Sequence, residues 1–419
     1  MTKQLDPHST APKPLFDTLE YTLIGYIPTC LNANFSADYQ HALSFLHSYR
    51  GSEATFNAYR REVERLLHWS WTITKKPLNK LKRHDLESFI EFCQHPPQAW
   101  IGTKTVKRFI IKDGQRIANP AWRPFTATVT KTEQRDGGKQ PDVSKYASSQ
   151  KAVQAIFSVL GSFYNYLIQE DYIAYNPVAQ IRQKSKFVRK QQTQAPIRRL
   201  SELQWGYVIE TAELLAHENP NKHERTLFIM NALYGMYLRI SELSSQKRWQ
   251  PQMGDFQRDL DGNWWFTTIG KGNKERQISV SDSMLAALKR YRLHLGLPSL
   301  PSPGESTPLI LRNTGKGAIT STRQIRAIVQ FCFDEAYQRM QQDGLAEDAS
   351  ELRIATVHWL RHTGISDDVR LRPREHVRDD AGHGSSAITD KYIDIERRAR
   401  HASAKTKVIN PAINDVSKN

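Results

Sequence analysis

The chain has 419 residues, enough for two domains with an ample core, and its 59 lysines and arginines against 43 acids give a formal charge of +16. That balance, with an isoelectric point of about 9.6, selects a polyanionic partner, nucleic acid ahead of a membrane surface, over a merely soluble basic protein. Three scattered cysteines (Cys30, Cys93 and Cys332) with no Cys-x-x-Cys pair exclude a disulfide framework and a zinc knot. Cys93 and Cys332 lie beside Phe92, Phe331 and Phe333 and read as core thiols. Neither a basic-then-apolar leader nor an apolar run of membrane-spanning length is found. The expectation is a cytoplasmic protein without a membrane partner.

Residues 1–35 carry Pro7, Pro12, Pro14 and Pro28 and read as an irregular lead-in. A helical first domain is expected over 36–182. Ser36 is placed to cap a helix to about 49, with Leu43, Phe45 and Leu46 on its apolar side. Between 53 and 71, Phe56, Tyr59, Val63, Leu66 and Leu67 recur at helical spacing, while Arg60, Arg61 and Arg65 take other faces. Asp85 is placed to cap a further helix to about 93, stopped by Pro96-Pro97. From about 98 to 147 the helical rhythm breaks. Two short runs there flank Asp113-Gly114, a two-residue hairpin signal, inside a proline- and glycine-rich insertion. A basic finger on the DNA backbone and a solvated insertion with no part in binding are equal readings. Val153, Ile156, Phe157, Leu160, Phe163, Tyr164 and Leu167 mark a helix over about 148–169, and Asn176-Pro177 ends the turn after it. Residues 183–197 form a basic linker, with Lys184, Lys186, Arg189 and Lys190 and no acid, that lies along phosphates or is simply solvated.

A second domain is expected over 198–400. Leu200-Ser201-Glu202-Leu203 signals a helix start, and a long helical pattern runs from 224 to 243. Within it Arg239 sits among Leu233, Tyr234, Met236, Leu238, Ile240 and Leu243, with Glu242 three residues on to orient it. Two strands, 264–269 and 277–280, enclose Gly270-Lys271-Gly272-Asn273-Lys274-Glu275-Arg276. This turn lacks the spacing and closing Lys-Ser/Thr of a phosphate-cradling loop, but lets a lysine reach into a groove. Helices follow at 284–295 and 322–340, and Thr356 caps the one that carries His358 and Arg361.

His358 and Arg361, three apart, point into one space, which suits a phosphate oxygen or a carboxylate. Gly382-His383 and Lys391-Tyr392 follow. A phenol is a poor nucleophile unless cations and an acid assist it. Arginine, histidine and a late tyrosine together point to tyrosine attack on a phosphodiester. Singly, His383 reads as a cap or core histidine and Tyr392 as a packed aromatic. His358 and His362 have the i, i+4 spacing of a zinc pair, but Trp359 stands where the metalloprotease glutamate would be. No metal site is expected.

Leu238-Arg239-Ile240-Ser241-Glu242-Leu243, the Gly270-to-Arg276 turn, His358-Trp359-Leu360-Arg361-His362-Thr363, Gly382-His383 and Tyr392 resemble, in order, the active-site boxes of the tyrosine recombinase (phage integrase) family. The chain departs from that family at Ala381, where a leucine is common, and in its strongly charged 365–380 stretch. The resemblance implies a mainly α fold with a small antiparallel β-sheet: a two-domain C-shaped clamp of a helical core-binding domain and a catalytic domain. It implies that Tyr392 attacks the scissile phosphate to leave a 3′-phosphotyrosyl link. Arg239 and Arg361 would hold the non-bridging oxygens, Lys271 would protonate the leaving oxygen, His358 would assist the tyrosine, and His383 would bond a phosphate oxygen. Glu242 stands behind Arg239, and Lys274 and Arg276 join the linker cations on DNA. It implies no cofactor, and as partners double-stranded recombination sites, a homotetramer on paired sites, and accessory DNA-bending or directionality proteins. The tail 401–419 would dock on a neighbouring subunit through Val408, Ile409 and Ile413, with packing on its own domain or a frayed end as the alternatives. The implied activity is integration, excision or resolution of a mobile element. A non-catalytic DNA-binding regulator and a type IB topoisomerase remain open beside it.

Overall fold

Helices dominate both units into which the computed structural model divides, residues 1–193 and 194–419. The residues described are 10–22, 33–130, 133–134, 138–182, 198–270, 272–312, 317–385 and 404–405.

In the first unit, α1 (Ser36–Ser48), α2 (Glu53–His68) and α3 (Arg83–Gln94) follow the apolar spacing of their sequence. Their ends differ in detail from expectation. Ser36 is the first helical residue rather than the cap, a place held by Phe35 without a side-chain bond. Asp85 lies inside the first turn of α3, where its carboxylate accepts from the Lys82 amide at 2.8 Å. A six-residue π-helical turn, Trp69–Thr74, prolongs α2.

Four short strands come next: β1 (Ile101–Gly102), β2 (Phe109–Lys112), β3 (Gln115–Ala118) and β4 (Phe125–Thr126). β2 and β3 pair antiparallel with Ile110 opposite Ile117. Asp113 and Gly114 both take positive φ, 50° and 74°, as a type I′ turn demands. β1 pairs in parallel with β4. Trp100, Ile101 and Phe125 are buried in the same core as Phe45, Phe89 and Phe163. Arg108 pairs with Glu64 of α2, and Arg116 with Asp17. Arg65 donates to the Pro124 carbonyl at 2.9 and 2.7 Å. Much of the described insertion is therefore a packed layer of the unit. Part of the lead-in belongs to it too: Leu15 and Phe16 are buried, and the Leu15 amide donates to Glu64 at 2.6 Å.

The first unit closes with α4 (Gln150–Gln169), whose predicted stripe is buried throughout, and α5 (Pro177–Arg182). Asn176-Pro177 opens α5 instead of ending a turn. The Asn176 side chain accepts from the Val178 and Ala179 amides at 2.9 and 3.2 Å, and a proline at the first helical position sacrifices no bond.

The second unit starts as expected with α6 (Glu202–Glu218), capped by Ser201 and Gln204. The long helix expected over 224–243 does not form as one piece. It is α7 (Pro220–Gly235), a break, and α8 (Ile240–Leu243). At the break Tyr237 takes φ 50°, its hydroxyl donates to Asp368, and its carbonyl accepts from Arg361. These tertiary partners draw the main chain off the helical path that periodicity favours.

A three-stranded antiparallel sheet follows, β5 (Phe256–Arg258), β6 (Trp264–Ile269) and β7 (Glu275–Ser279), in that order. Then come α9 (Asp282–His294), α10 (Thr322–Gln342), α11 (Val357–Asp368) and α12 (Arg374–Ala381). Leu233, Met236, Phe333, Trp359 and Leu360 share one core with Phe266 and Ile278 of the sheet. Cys93 and Cys332 are buried thiols, as read. The fold is thus mainly α with small sheets, and no helix among the described residues is long and apolar enough to cross a membrane.

α11 touches α7 at Gly364, where a methyl would overlap the Tyr234 carbonyl oxygen. Gly364→Ala is expected to lower stability by about 1–3 kcal/mol through overpacking. Thermal unfolding followed by circular dichroism measures this, and an unchanged midpoint would mean that the two helices do not meet there.

Candidate active site

The site is built in the second unit around Glu242, in the first turn of α8. Its carboxylate is buried and accepts four bonds: from the Arg239 amide at 2.8 Å, the Arg239 guanidinium at 3.0 Å, and two Arg276 nitrogens at 2.8 Å each. Burial pushes the Glu242 pKa up. The hydrogen bonds and charge of Arg276, then of Arg239, outweigh burial and hold it below the ordinary carboxylate value. Glu242 does orient Arg239, but as the carboxylate that caps a short helix, not as a neighbour on one helical face.

Arg276, expected on DNA, is turned inward instead. Its side chain is only 9% exposed, its Nε donates to the Asp380 carbonyl at 3.0 Å, and its stem lies against Gly382. Both of its arms are committed to Glu242. Lys274, two residues earlier in the turn, is exposed. Gly270 at the root of that turn faces Arg276, Glu242 and Arg239, and its amide donates to the Lys274 carbonyl at 2.8 Å.

Arg361 comes from α11 and is buried, donating to the carbonyls of Tyr237 and Ala381. Arg239 is 29% exposed and reaches the Gly382 carbonyl at 3.4 Å. On α11 the rings of His358 and His362 meet edge to face, 4.1 Å between centroids. Their pair acquires no third metal ligand among the described residues. His383 follows the left-handed Gly382 that ends α12.

Electrostatics ties these groups into one cluster. Burial, then the charges of Arg361 and Arg239, push the His358 pKa down. Burial, then Arg361, Arg239 and Arg276, push His383 down to about 4. Burial, then His358, Arg361 and His383, push His362 down to about 3. Near neutral pH the imidazoles are thus neutral, and the positive charge rests on guanidiniums. An anion with several oxygens matches such a site, and a neutral imidazole can take a proton from a phenol.

No family model matches the chain. Over 266 residues it is 26% identical to a tyrosine recombinase XerC of Leptospira interrogans, covering 62% of this chain and 71% of that protein. A tyrosine recombinase XerC of Thermodesulfovibrio yellowstonii is 27% identical over 258 residues, covering 59% and 72%. The fold is similar to that of the XerH site-specific recombinase bound to a palindromic difH substrate in a post-cleavage complex. The TM-score is 0.55 with 14% identity over 93% of both chains. In sequence the chain is similar to tyrosine recombinases, and its fold is that of one.

Of the residues expected at the site, Arg239, His358, Arg361 and His383 are brought together, with Glu242 behind them. Lys271 and Tyr392 lie outside the described residues, as do Lys184, Lys186, Arg189 and Lys190 and the tail apart from 404–405. Sequence reasoning missed the role of Arg276 and the carbonyl of Tyr237. The Gly270-to-Arg276 turn reads as one whose cations reach DNA, and no local spacing announces that a main-chain oxygen will hold an arginine.

A histidine has an ordinary pKa of 6.5. As pH falls below that, the unfolded chain takes up protons that folded His362 and His383 refuse. Their neutral burial therefore costs no stability above 6.5 and costs progressively more as pH falls toward their folded values. The melting temperature is expected to drop between about pH 7 and about pH 5, and His362→Gln to flatten part of that slope. The same slope in the variant would remove His362 as a contributor.

Proposed function

We propose that the chain is a site-specific DNA recombinase that cleaves and rejoins duplex DNA through a 3′-phosphotyrosyl intermediate. What carries the reading is the convergence of Arg239, Arg361, His358 and His383 over a buried Glu242. The two guanidiniums would grip the non-bridging oxygens of a phosphodiester and stabilise the charge that builds up as it is attacked. Neutral His358 would accept the proton of Tyr392 as its oxygen bonds to phosphorus. The bond to O5′ breaks, its electron pair leaves with O5′, and Lys271 supplies the proton. A 5′-hydroxyl from another strand reverses these steps on the phosphotyrosine, so the bond energy is conserved and no nucleotide is consumed. His383, by hydrogen bonding, holds the phosphate in place.

The partners in this reading are double-stranded recombination sites. Two such sites are paired by a homotetramer whose 401–419 tails dock on neighbouring subunits, assisted by DNA-bending or directionality proteins. The reaction serves integration, excision or resolution of a mobile element, in the cytoplasm on nucleoid DNA. The first unit supports a duplex contact of its own. A cavity of about 1050 Å³ lies between α2 and the packed insertion and is lined by Arg60, Arg61, Lys107 and Arg123 among others. Exposed Lys274 and the linker cations Lys184, Lys186, Arg189 and Lys190 would add phosphate contacts.

Tyr392→Phe keeps the ring and loses the nucleophile. On a nicked suicide duplex it is expected to bind as the wild type does and give no covalent band on a denaturing gel. A band of normal intensity would remove Tyr392 from the reaction.

Lys271→Ala is expected to lose cleavage of ordinary DNA but to recover on a 5′-bridging phosphorothiolate, because a thiolate leaves without a proton. Equal impairment on both substrates would point to Lys274 as the acid instead.

A further inference from the structure

The charged stretch from Ile365 to Asp380 has no part in the chemistry above, yet it converges on one side chain. Arg372, between α11 and α12, donates one nitrogen to the Tyr237 hydroxyl at 3.0 Å and to Asp368 at 3.1 Å. Its other nitrogen donates to Ser279 of β7 at 2.9 Å and to Asp380 of α12 at 2.6 Å. Asp380 also accepts from the Ser279 amide at 3.1 Å, and Tyr237 and Asp380 are both buried.

The main chains of the gripped residues carry the site. The Tyr237 carbonyl accepts from Arg361, and the Asp380 carbonyl from Arg276 at 3.0 Å. The next two carbonyls after Asp380 accept from Arg361 and, at 3.4 Å, from Arg239. One planar guanidinium thus ties together the break after α7, the end of β7 and the end of α12. Every carbonyl just named lies at one of those anchored places. An ammonium lacks the flat pair of nitrogens that serves four acceptors in this way.

We propose that Arg372 is a positioning residue of the cleavage reaction, acting through Tyr237 and Asp380 to place the guanidiniums of Arg361 and Arg239. The proposal rests on the recombinase reading. Arg372 itself touches neither substrate nor nucleophile in this role; it sets where the charge that meets the phosphate stands.

The test compares the wild type with Arg372→Ala on two nicked suicide duplexes, one with an ordinary scissile phosphodiester and one with a methylphosphonate there. Duplex affinity and thermal midpoint are measured on the same samples. On the phosphodiester, cleavage by Arg372→Ala is expected to fall on the order of 100-fold with affinity retained, the scale of a small misplacement of catalytic groups. On the methylphosphonate the defect should shrink at least several-fold, because the neutral group needs less of the charge that the arginines supply. A merely structural weakening would slow both substrates alike. Wild-type rates in the variant, an equal loss on both duplexes, or a loss matched by lost affinity would each overturn the proposal. Should Arg372→Ala fail to fold, Arg372→Lys is read by the same pair of ratios. Absence of cleavage by the wild type would instead bring down the recombinase reading, and the positioning role with it.

Discussion

The second unit depends on how a single buried carboxylate is satisfied. Glu242, without water, has to find donors for both oxygens, and it finds them in Arg239 and Arg276. Removing a partner from such a buried arrangement costs about 3–5 kcal/mol, because an uncompensated charge stays behind. The chain is thereby held to one solution: Arg239 at the start of α8, Arg276 threaded between the β6–β7 turn and the end of α12. The face that Arg239 keeps toward solvent is a by-product of satisfying Glu242.

Around that pair the protein separates charge from proton transfer. Burial, helped by the nearby guanidiniums, keeps the three imidazoles neutral at a pH where the arginines are charged. The guanidiniums of Arg239 and Arg361 are fixed in place by bonds to Glu242 and to main-chain carbonyls. In the proposed reaction such a geometry would need little reorganisation, which is the general basis of electrostatic preorganisation.

What could be read from the amino-acid sequence follows the range of the interaction. His358 and Arg361 were legible because one turn of helix brings them together whatever surrounds them. The Asp113-Gly114 hairpin was legible because two consecutive positive φ values restrict the residues that fit. Arg239 and Glu242 were correctly paired on a wrong premise, since the helix expected to hold both breaks at Tyr237. Nothing local forecasts that break, whose causes lie more than a hundred residues away in Asp368 and Arg361. The same limit explains Arg276, read as a cation for DNA and found gripping Glu242. It explains the insertion too, whose Trp100 and Phe125 join a core assembled from distant helices.

Arg276 lies in a slot with two glycine walls. A side-chain carbon at Gly270 would stand 3.0 Å from one of its nitrogens, and one at Gly382 would stand 2.7 Å from its stem. The three positions, far apart along the chain, form a single steric unit. Among homologous chains their substitutions should be correlated. A lineage that keeps the long arginine must keep both walls bare, while one that shortens residue 276 relieves only the tightest contact at position 270, which Glu242 and Arg239 still crowd at 3.2 and 3.3 Å. Position 382, held left-handed at φ 62°, stays under a second restraint and should drift more slowly than 270.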